Sequence, residues 1–481
     1  MLFNSLAYII FLPIVFILYW FVFNRRLSTQ NVLILVASYF FYGWWSWKFL
    51  IILATSTLID YLYGFGVASN NRKKAKFFLW LGIINNLAVL GTFKYYNFFA
   101  VEFRDAFHLV GIKFNPVFLQ VALPIGISFY TFHGISYIFD IYKGTIKPSA
   151  SFIDYGVFVS FFPLLVAGPI ERANHLLPQI QKKRSFNYLQ AITGCRLILW
   201  GMFKKVVIAD SLAVNVDPIF DNYQSNNALS LILAAIGFSY QIYCDFSGYS
   251  DIATGTAKLF GFELFSNFRF PYFSRNIVEF WRRWHISLSS WFKDYVYIPL
   301  GGSRKGTLMS VRNIFIIFIL SGLWHGASWN FIVWGGIHAC GLLLLLLLNK
   351  NRKYVTAVVA PDRYFPNYKE LAKILSTFIF VTIAWIFFRM ADINDAFGYI
   401  TKIVKSSIDD PYQYGAIPPA GTNIALYILP VVFIDWTNRR NERSVVVPSN
   451  VYLRRFIYVV VLYLIFTLFT KSSDTMIYFQ F

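Results

Sequence analysis

Residues 269–305 read RFPYFSRNIVEFWRRWHISLSSWFKDYVYIPLGGSRK. The stretch holds too many charges to cross a bilayer and too many aromatic rings to be a solvated loop. At roughly 100° per residue, Ile277, Trp281, Trp284, Leu288, Trp291 and Tyr295 fall on one narrow stripe. Arg282 and Lys293 lie well off it, and Arg283 and Asp294 occupy a second polar sector. The pattern predicts one amphipathic helix over 276–296. It would lie in the membrane interface, on the cytoplasmic side by its charge, and end at Pro299-Leu-Gly-Gly-Ser. Such a helix implies a membrane.

The rest of the chain supplies one. Of 481 residues, 57% are hydrophobic and 14% charged, with a mean hydropathy of +0.54. Soluble globular chains carry roughly 45–50% apolar and about 25% charged residues. Disorder, a disulfide scaffold and a soluble nucleic-acid binder are excluded. Apolar segments run at approximately 6–23, 31–45, 47–67, 77–98, 121–141, 154–170, 191–209, 229–256, 313–323, 328–348, 372–390, 422–436 and 455–470. The reading is an all-α polytopic integral membrane protein with about 11–13 membrane helices, some half-length or tilted, plus amphipathic surface helices. No linker, compositional shift or residue-level repeat divides it, so 1–481 reads as a single membrane domain.

Lys and Arg number 43 against 23 Asp and Glu, and they cluster between apolar runs: Arg25-Arg26, Arg72-Lys73-Lys74, Lys182-Lys183-Arg184, Arg439-Arg440, Arg454-Arg455. Cytoplasmic basic loops explain these without nucleic acid. Parity then places both termini outside. The first residues lack a positive n-region and a small-residue cleavage site, so they read as a retained span. Cys195, Cys244 and Cys340 offer no disulfide framework and read as reduced, mainly structural thiols.

Six histidines are candidates for chemistry. His108 and His175 read as loop residues, His133 as a hydrogen-bonded structural group, and His338 as packed against small neighbours. His325 differs. It closes a short apolar helix that begins near Arg312, and the 12 steps from Asn313 amount to roughly 18 Å. With Arg312 at the interface, that depth is near the middle of a hydrocarbon core about 30 Å thick. An ionisable group there is a functional-site hypothesis, and neutral imidazole is the form a general base needs. Gly322 and Gly326 are expected to leave its ring approachable. His285 lies at the edge of the amphipathic stripe, where Arg282, Arg283 and Lys293 could meet the phosphates of a nucleotide donor. Asp245 and Asp251, with Ser247, Gly248 and Ser250 near them, suit a broken helix. There a carboxylate caps amides, orients a histidine or binds substrate. Trp324 and Asn330 are candidates to stabilise an oxyanion. No metal-ligand spacing, phosphate-cradling glycine loop or serine-nucleophile elbow is present, so neither a metal nor a resident cofactor is expected.

At these residues the chain resembles the membrane-bound O-acyltransferases, in particular the alginate O-acetyltransferase branch, kin of the D-alanyl transfer protein of teichoic acid modification. The resemblance runs nearly end to end. It covers Phe11-Leu-Pro, Ala37-Ser-Tyr-Phe-Phe-Tyr-Gly-Trp-Trp45, Pro124-Ile-Gly-Ile-Ser-Phe129, Ala167-Gly-Pro-Ile-Glu-Arg172 and Asp245-Phe-Ser-Gly-Tyr-Ser-Asp251. It continues through Asn267-Phe-Arg-Phe-Pro271, Phe280-Trp-Arg-Arg-Trp-His285, Gly322-Leu-Trp-His-Gly326, Trp385-Ile-Phe-Phe-Arg389 and Tyr478-Phe-Gln-Phe481. Gly43 and Met390 stand where relatives often carry alanine.

The resemblance implies an enzyme of the bacterial cytoplasmic membrane that takes an acyl group from a cytoplasmic thioester and delivers it outward. The essential histidine of the family falls on His325, and a second, widely shared one on His285. Relatives hold the essential histidine in a funnel through a thinned membrane centre. The expected donor is acetyl-CoA or another acyl thioester, as substrate and not cofactor. The expected acceptor is an exported, alginate-like polysaccharide, reached through an extracytoplasmic acetyltransferase partner. D-alanyl transfer, O-acetylation of peptidoglycan or lipopolysaccharide, and a non-catalytic polysaccharide or lipid transporter are the alternatives.

Overall fold

A backbone in lipid must satisfy its own polar groups, and helix is the local way to do so. The computed structural model describes residues 1–120, 122–166, 168–354, 358–409, 419–441, 447–469 and 477, and these contain helices and no strand. Two compact units emerge: Met1–Gly194 with Ala253–Phe265, and Cys195–Ile252 with Ser266–Phe481.

The first unit holds α1 (Leu6–Ile17), α2 (Leu27–Gly43), α3 (Trp47–Val67), α4 (Arg72–Leu90), α5 (Tyr96–Leu109), α6 (Ile127–Tyr142), α7 (Phe152–Ser160), α8 (Phe162–Leu165) and α9 (Ala173–Ile180). Ser5 and Asn71 cap α1 and α4 by accepting N–H groups of the first turn. Inside, Asn86 donates to Asp60 at 2.8 Å. His133 is buried and hydrogen-bonded, its Nδ1 lying 3.3 Å from the Val159 carbonyl. His175 and His108 are not loop residues: His175 sits in the first turn of α9 and His108 in the last turn of α5. His175 Nδ1 is 2.7 Å from Glu171, which also accepts the Phe265 N–H at 2.6 Å.

Into the second unit run α10 (Tyr188–Met202), a π-helical segment (Phe203–Ala209), α11 (Asp210–Asp221) and α12 (Ala228–Leu259). They are followed by α13 (Ile277–Trp281), α14 (Ile286–Phe292), α15 (Thr307–His325), α16 (Trp329–Leu347), α17 (Tyr368–Arg389), α18 (Ile393–Asp409), α19 (Pro419–Asn438) and α20 (Val451–Phe469). Each apolar run of the sequence overlaps at least one described helix. Seven of the described helices are long and apolar enough to cross a membrane, so the protein is a multi-pass integral membrane protein. The others are shorter or more polar. Tyr478-Phe-Gln-Phe481 lies outside the described residues.

Two expectations are corrected. The amphipathic segment is not one helix: α13 ends at Trp281, α14 begins at Ile286, and His285 between them adopts φ 42°, ψ 54°. The cause is pairing with a distant strip of backbone. Arg269 N–H bonds the Arg283 carbonyl and Ile286 N–H bonds the Asn267 carbonyl, both at 2.9 Å, and this pulls the chain out of helix. The apolar stripe is nevertheless buried in full, from Ile277 to Tyr295. Conversely α12, where a break was expected, runs unbroken past Asp245 and Asp251.

Candidate active site

α15 and α16 are joined by three residues, Gly326–Ser328, and pack backbone to backbone. A β-carbon on Gly322 would collide with the Phe331 carbonyl, one on Gly326 with the Phe331 ring, and one on Gly335 with the Phe318 carbonyl. The glycines flanking His325 therefore make room for α16. They are not a lane to the imidazole. The helix also starts at Thr307, ahead of Arg312, so His325 lies 18 steps in, about 27 Å along the axis. The mid-membrane depth thus depends on Arg312, not the helix start, marking the interface.

His325 is the last residue of α15 and is 6% exposed. Its ring is boxed edge-on by Trp324, Trp334 and Phe388, with centroids at 5.0, 5.1 and 5.2 Å. Trp324 also lies 5.9 Å from the ring of His285. The two histidines singled out from the sequence therefore share one tryptophan.

His285 is held by an asparagine that sequence reasoning quoted without a role. Asn267 donates its amide to Ser250 at 3.0 Å, so its Oδ1 is the acceptor facing His285 Nδ1 at 3.0 Å and Ser287 Oγ at 2.9 Å. The imidazole thus carries its proton on Nδ1 and presents a lone pair on Nε2. That Nε2 is buried and has no hydrogen-bond partner among the described residues. Burial pushes His285 down to about 3, so it is neutral at physiological pH.

The three basic candidates separate. Arg283 is buried and committed, 2.9 Å from Glu279, in a triad completed by Arg275 at 2.9 Å from the same carboxylate. It holds the α13 turn together, so the phosphate role expected of it is corrected. Arg282 is half-buried with an Nη1 that has no partner among the described residues, and Lys293 is exposed. Asn330 donates its amide to the Met390 carbonyl at 2.5 Å, capping the end of α17, which is a structural use of the group expected to bind an oxyanion.

Asp245 and Asp251 face lysines. Gly201 and Gly248 let α10 and α12 touch: a β-carbon on Gly201 would be 2.5 Å from the Gly248 carbonyl. The following π-helical turn then delivers both Lys204 and Lys205 to α12. Lys205 pairs with Asp245 at 2.8 Å and Asp210 at 2.7 Å, and Lys204 with Asp251 at 2.5 Å. Asp245 also accepts the Ile477 N–H at 2.8 Å, and Tyr243 donates to Asp435 at 2.8 Å. Sequence reading missed these lysines, although a Lys-Lys pair inside an apolar run was the available signal.

The class of protein is thus a many-helix membrane protein with two buried histidines, His285 and His325, whose rings lie 5.9 and 5.0 Å from that of Trp324. The chain belongs to the membrane-bound O-acyltransferase family, whose model matches residues 146–391. It is an acyltransferase. It is 41% identical over 400 residues to "Probable alginate O-acetylase AlgI" of Pseudomonas putida, covering 82% of this chain and 79% of that one. It is 35% identical over 438 residues to the peptidoglycan O-acetyltransferase of Helicobacter pylori, covering 85% and 80%. With the teichoic acid D-alanyltransferase of Bacillus subtilis the identity is 32% over 241 residues, covering 48% and 61%.

Proposed function

We propose that this enzyme moves acetyl from a cytoplasmic thioester, acetyl-CoA being the expected donor, to an exported polysaccharide of alginate type. His325 takes the proton of the attacking hydroxyl as oxygen bonds to the thioester carbon. The C–S bond then breaks, and the leaving thiolate recovers that proton. Proximity and exclusion of water supply much of the rate. Arg282 and Lys293 are the basic side chains left to meet donor phosphates. The observation that carries the proposal is the burial of His285 and His325 with their rings 5.9 and 5.0 Å from the same Trp324. Alginate- and peptidoglycan-acetylating relatives that each match over four-fifths of this chain support the acceptor class. A bacterial inner-membrane location, termini outside, residues 269–312 inside and an extracytoplasmic acetyltransferase partner complete the reading.

The test uses sealed vesicles of known orientation with an oligosaccharide acceptor on the outer face. Labelled acetyl-CoA supplied at the cytoplasmic face should label the acceptor, and His325→Gln should abolish the signal. Consumption of a D-alanyl carrier thioester in place of acetyl-CoA, or labelling only from the opposite face, would overturn the proposal.

Asn267 should act through His285. Asn267→Ala lets the imidazole change tautomer and is expected to lower transfer about 10–100-fold, as loss of an orienting partner does for metal-bound histidines. The double variant with His285→Ala should be no worse than His285→Ala alone. Additive losses in purified, folded protein would show that Asn267 acts elsewhere.

A further inference from the structure

Trp334 and His338 are both fully buried and lie four residues apart, on one face of α16. Their ring centroids are 4.9 Å apart. Trp334 Nε1–H has no hydrogen-bond partner among the described residues. His338 accepts the Trp281 indole N–H on Nδ1 at 3.3 Å. A neutral imidazole accepting there carries its proton on Nε2, and that N–H also has no partner among the described residues. Folded proteins seldom leave a buried donor unmatched, and two on neighbouring rings point to an acceptor that arrives from outside the chain. The adjoining ring is the proposed base: His325 lies 5.1 Å from Trp334.

We propose that Trp334 Nε1–H and His338 Nε2–H are the oxyanion donors of the transfer, receiving the carbonyl oxygen of the acyl thioester. The inference rests on His325 acting as the base. When the hydroxyl oxygen bonds to the carbonyl carbon, its proton passes to His325 and the carbonyl π pair moves onto oxygen, where the two N–H groups meet it. The pair returns to re-form the double bond as the C–S bond breaks, and the thiolate leaves with the proton from His325. The donors bind weakly to the neutral carbonyl and strongly to the oxyanion, so they act on turnover more than on binding.

Donor turnover and acceptor acetylation would be measured on equal amounts of folded enzyme. Trp334→Phe keeps a ring and removes the N–H. It should lower kcat about 10²-fold, with KM for the thioester changed less than about threefold and the thermal midpoint held. His338→Met should fall by a similar factor, while His338→Gln, which can still accept from Trp281 and donate onward, should stay within about tenfold of wild type. If Trp334→Phe does not accumulate as folded protein, the two His338 variants decide alone. Wild-type turnover in Trp334→Phe or His338→Met, or a loss carried wholly by KM, would overturn the assignment. The outcomes separate from failure of the base: near-normal transfer by His325→Gln ends that reading whatever Trp334 does. An inactive His325→Gln beside a fully active Trp334→Phe ends only the present one.

Discussion

His325→Ala is expected to yield a correctly inserted protein whose acyl transfer falls about 10²–10⁴-fold, the range for losing a positioned general base. Insertion should survive because His325 is the last residue of α15, and the α15–α16 contact is made by Gly322, Gly326 and Gly335 against Phe331 and Phe318. The side chain does touch Trp324, Trp334 and Phe388, so alanine leaves a void among three rings. His325→Gln fills more of that void. It can hydrogen-bond but cannot accept a proton at neutral pH, so it should fail nearly as badly in transfer while recovering thermal stability. The measurement is turnover of acyl thioester by purified enzyme, normalised to the monodisperse fraction. Near-normal turnover by His325→Gln would remove the base role. Near-normal turnover by His325→Ala would remove the residue from catalysis.

What the sequence disclosed and what it hid divide along a physical line. Apolar run length and the spacing of Ile277, Trp281, Trp284, Leu288, Trp291 and Tyr295 are local signals, and both survived: the runs are helices and the stripe is buried. The break at His285 is not local. It comes from hydrogen bonds to Asn267 and Arg269, some sixteen residues away in sequence, and no periodicity within 276–296 records them. Gly322 and Gly326 show a different limit, because the absence of a side chain looks the same whether it admits a ligand or a neighbouring helix. Asp245 and Asp251 were legible as costly intramembrane carboxylates, but their partners sit on a π-helical turn that a 3.6-residue template does not anticipate. His338 was read as packed, and its packing is real. Only the bond from Trp281 fixes its tautomer and so exposes the unmatched N–H.

Lys205→Met is expected to cost most of the folded protein. Lys205 is 1% exposed and neutralises two carboxylates that are themselves buried, Asp210 at 2.7 Å and Asp245 at 2.8 Å. Removing the ammonium leaves two anions beside one another in an apolar interior, and breaking a buried pair in this way costs about 3–5 kcal/mol. At roughly 1.4 kcal/mol per decade, that is two to three and a half decades in the folding equilibrium. Lys204→Met should cost less, because its partner Asp251 is 26% exposed and better able to recruit water. The charge argument carries its own control. Combining Lys205→Met with Asp210→Asn and Asp245→Asn removes the stranded charges, and with them the cost of leaving uncompensated charge buried. The triple variant should regain most of the yield and thermal midpoint in detergent. It should also transfer acyl groups at nearly the wild-type rate per folded molecule if Asp245 is structural. A normal thermal midpoint for Lys205→Met would show that the network contributes little. A triple variant that folds but does not turn over would show that Lys205, Asp210 or Asp245 does more than hold the scaffold, and Asp245→Asn alone would then tell whether its carboxylate is the one needed.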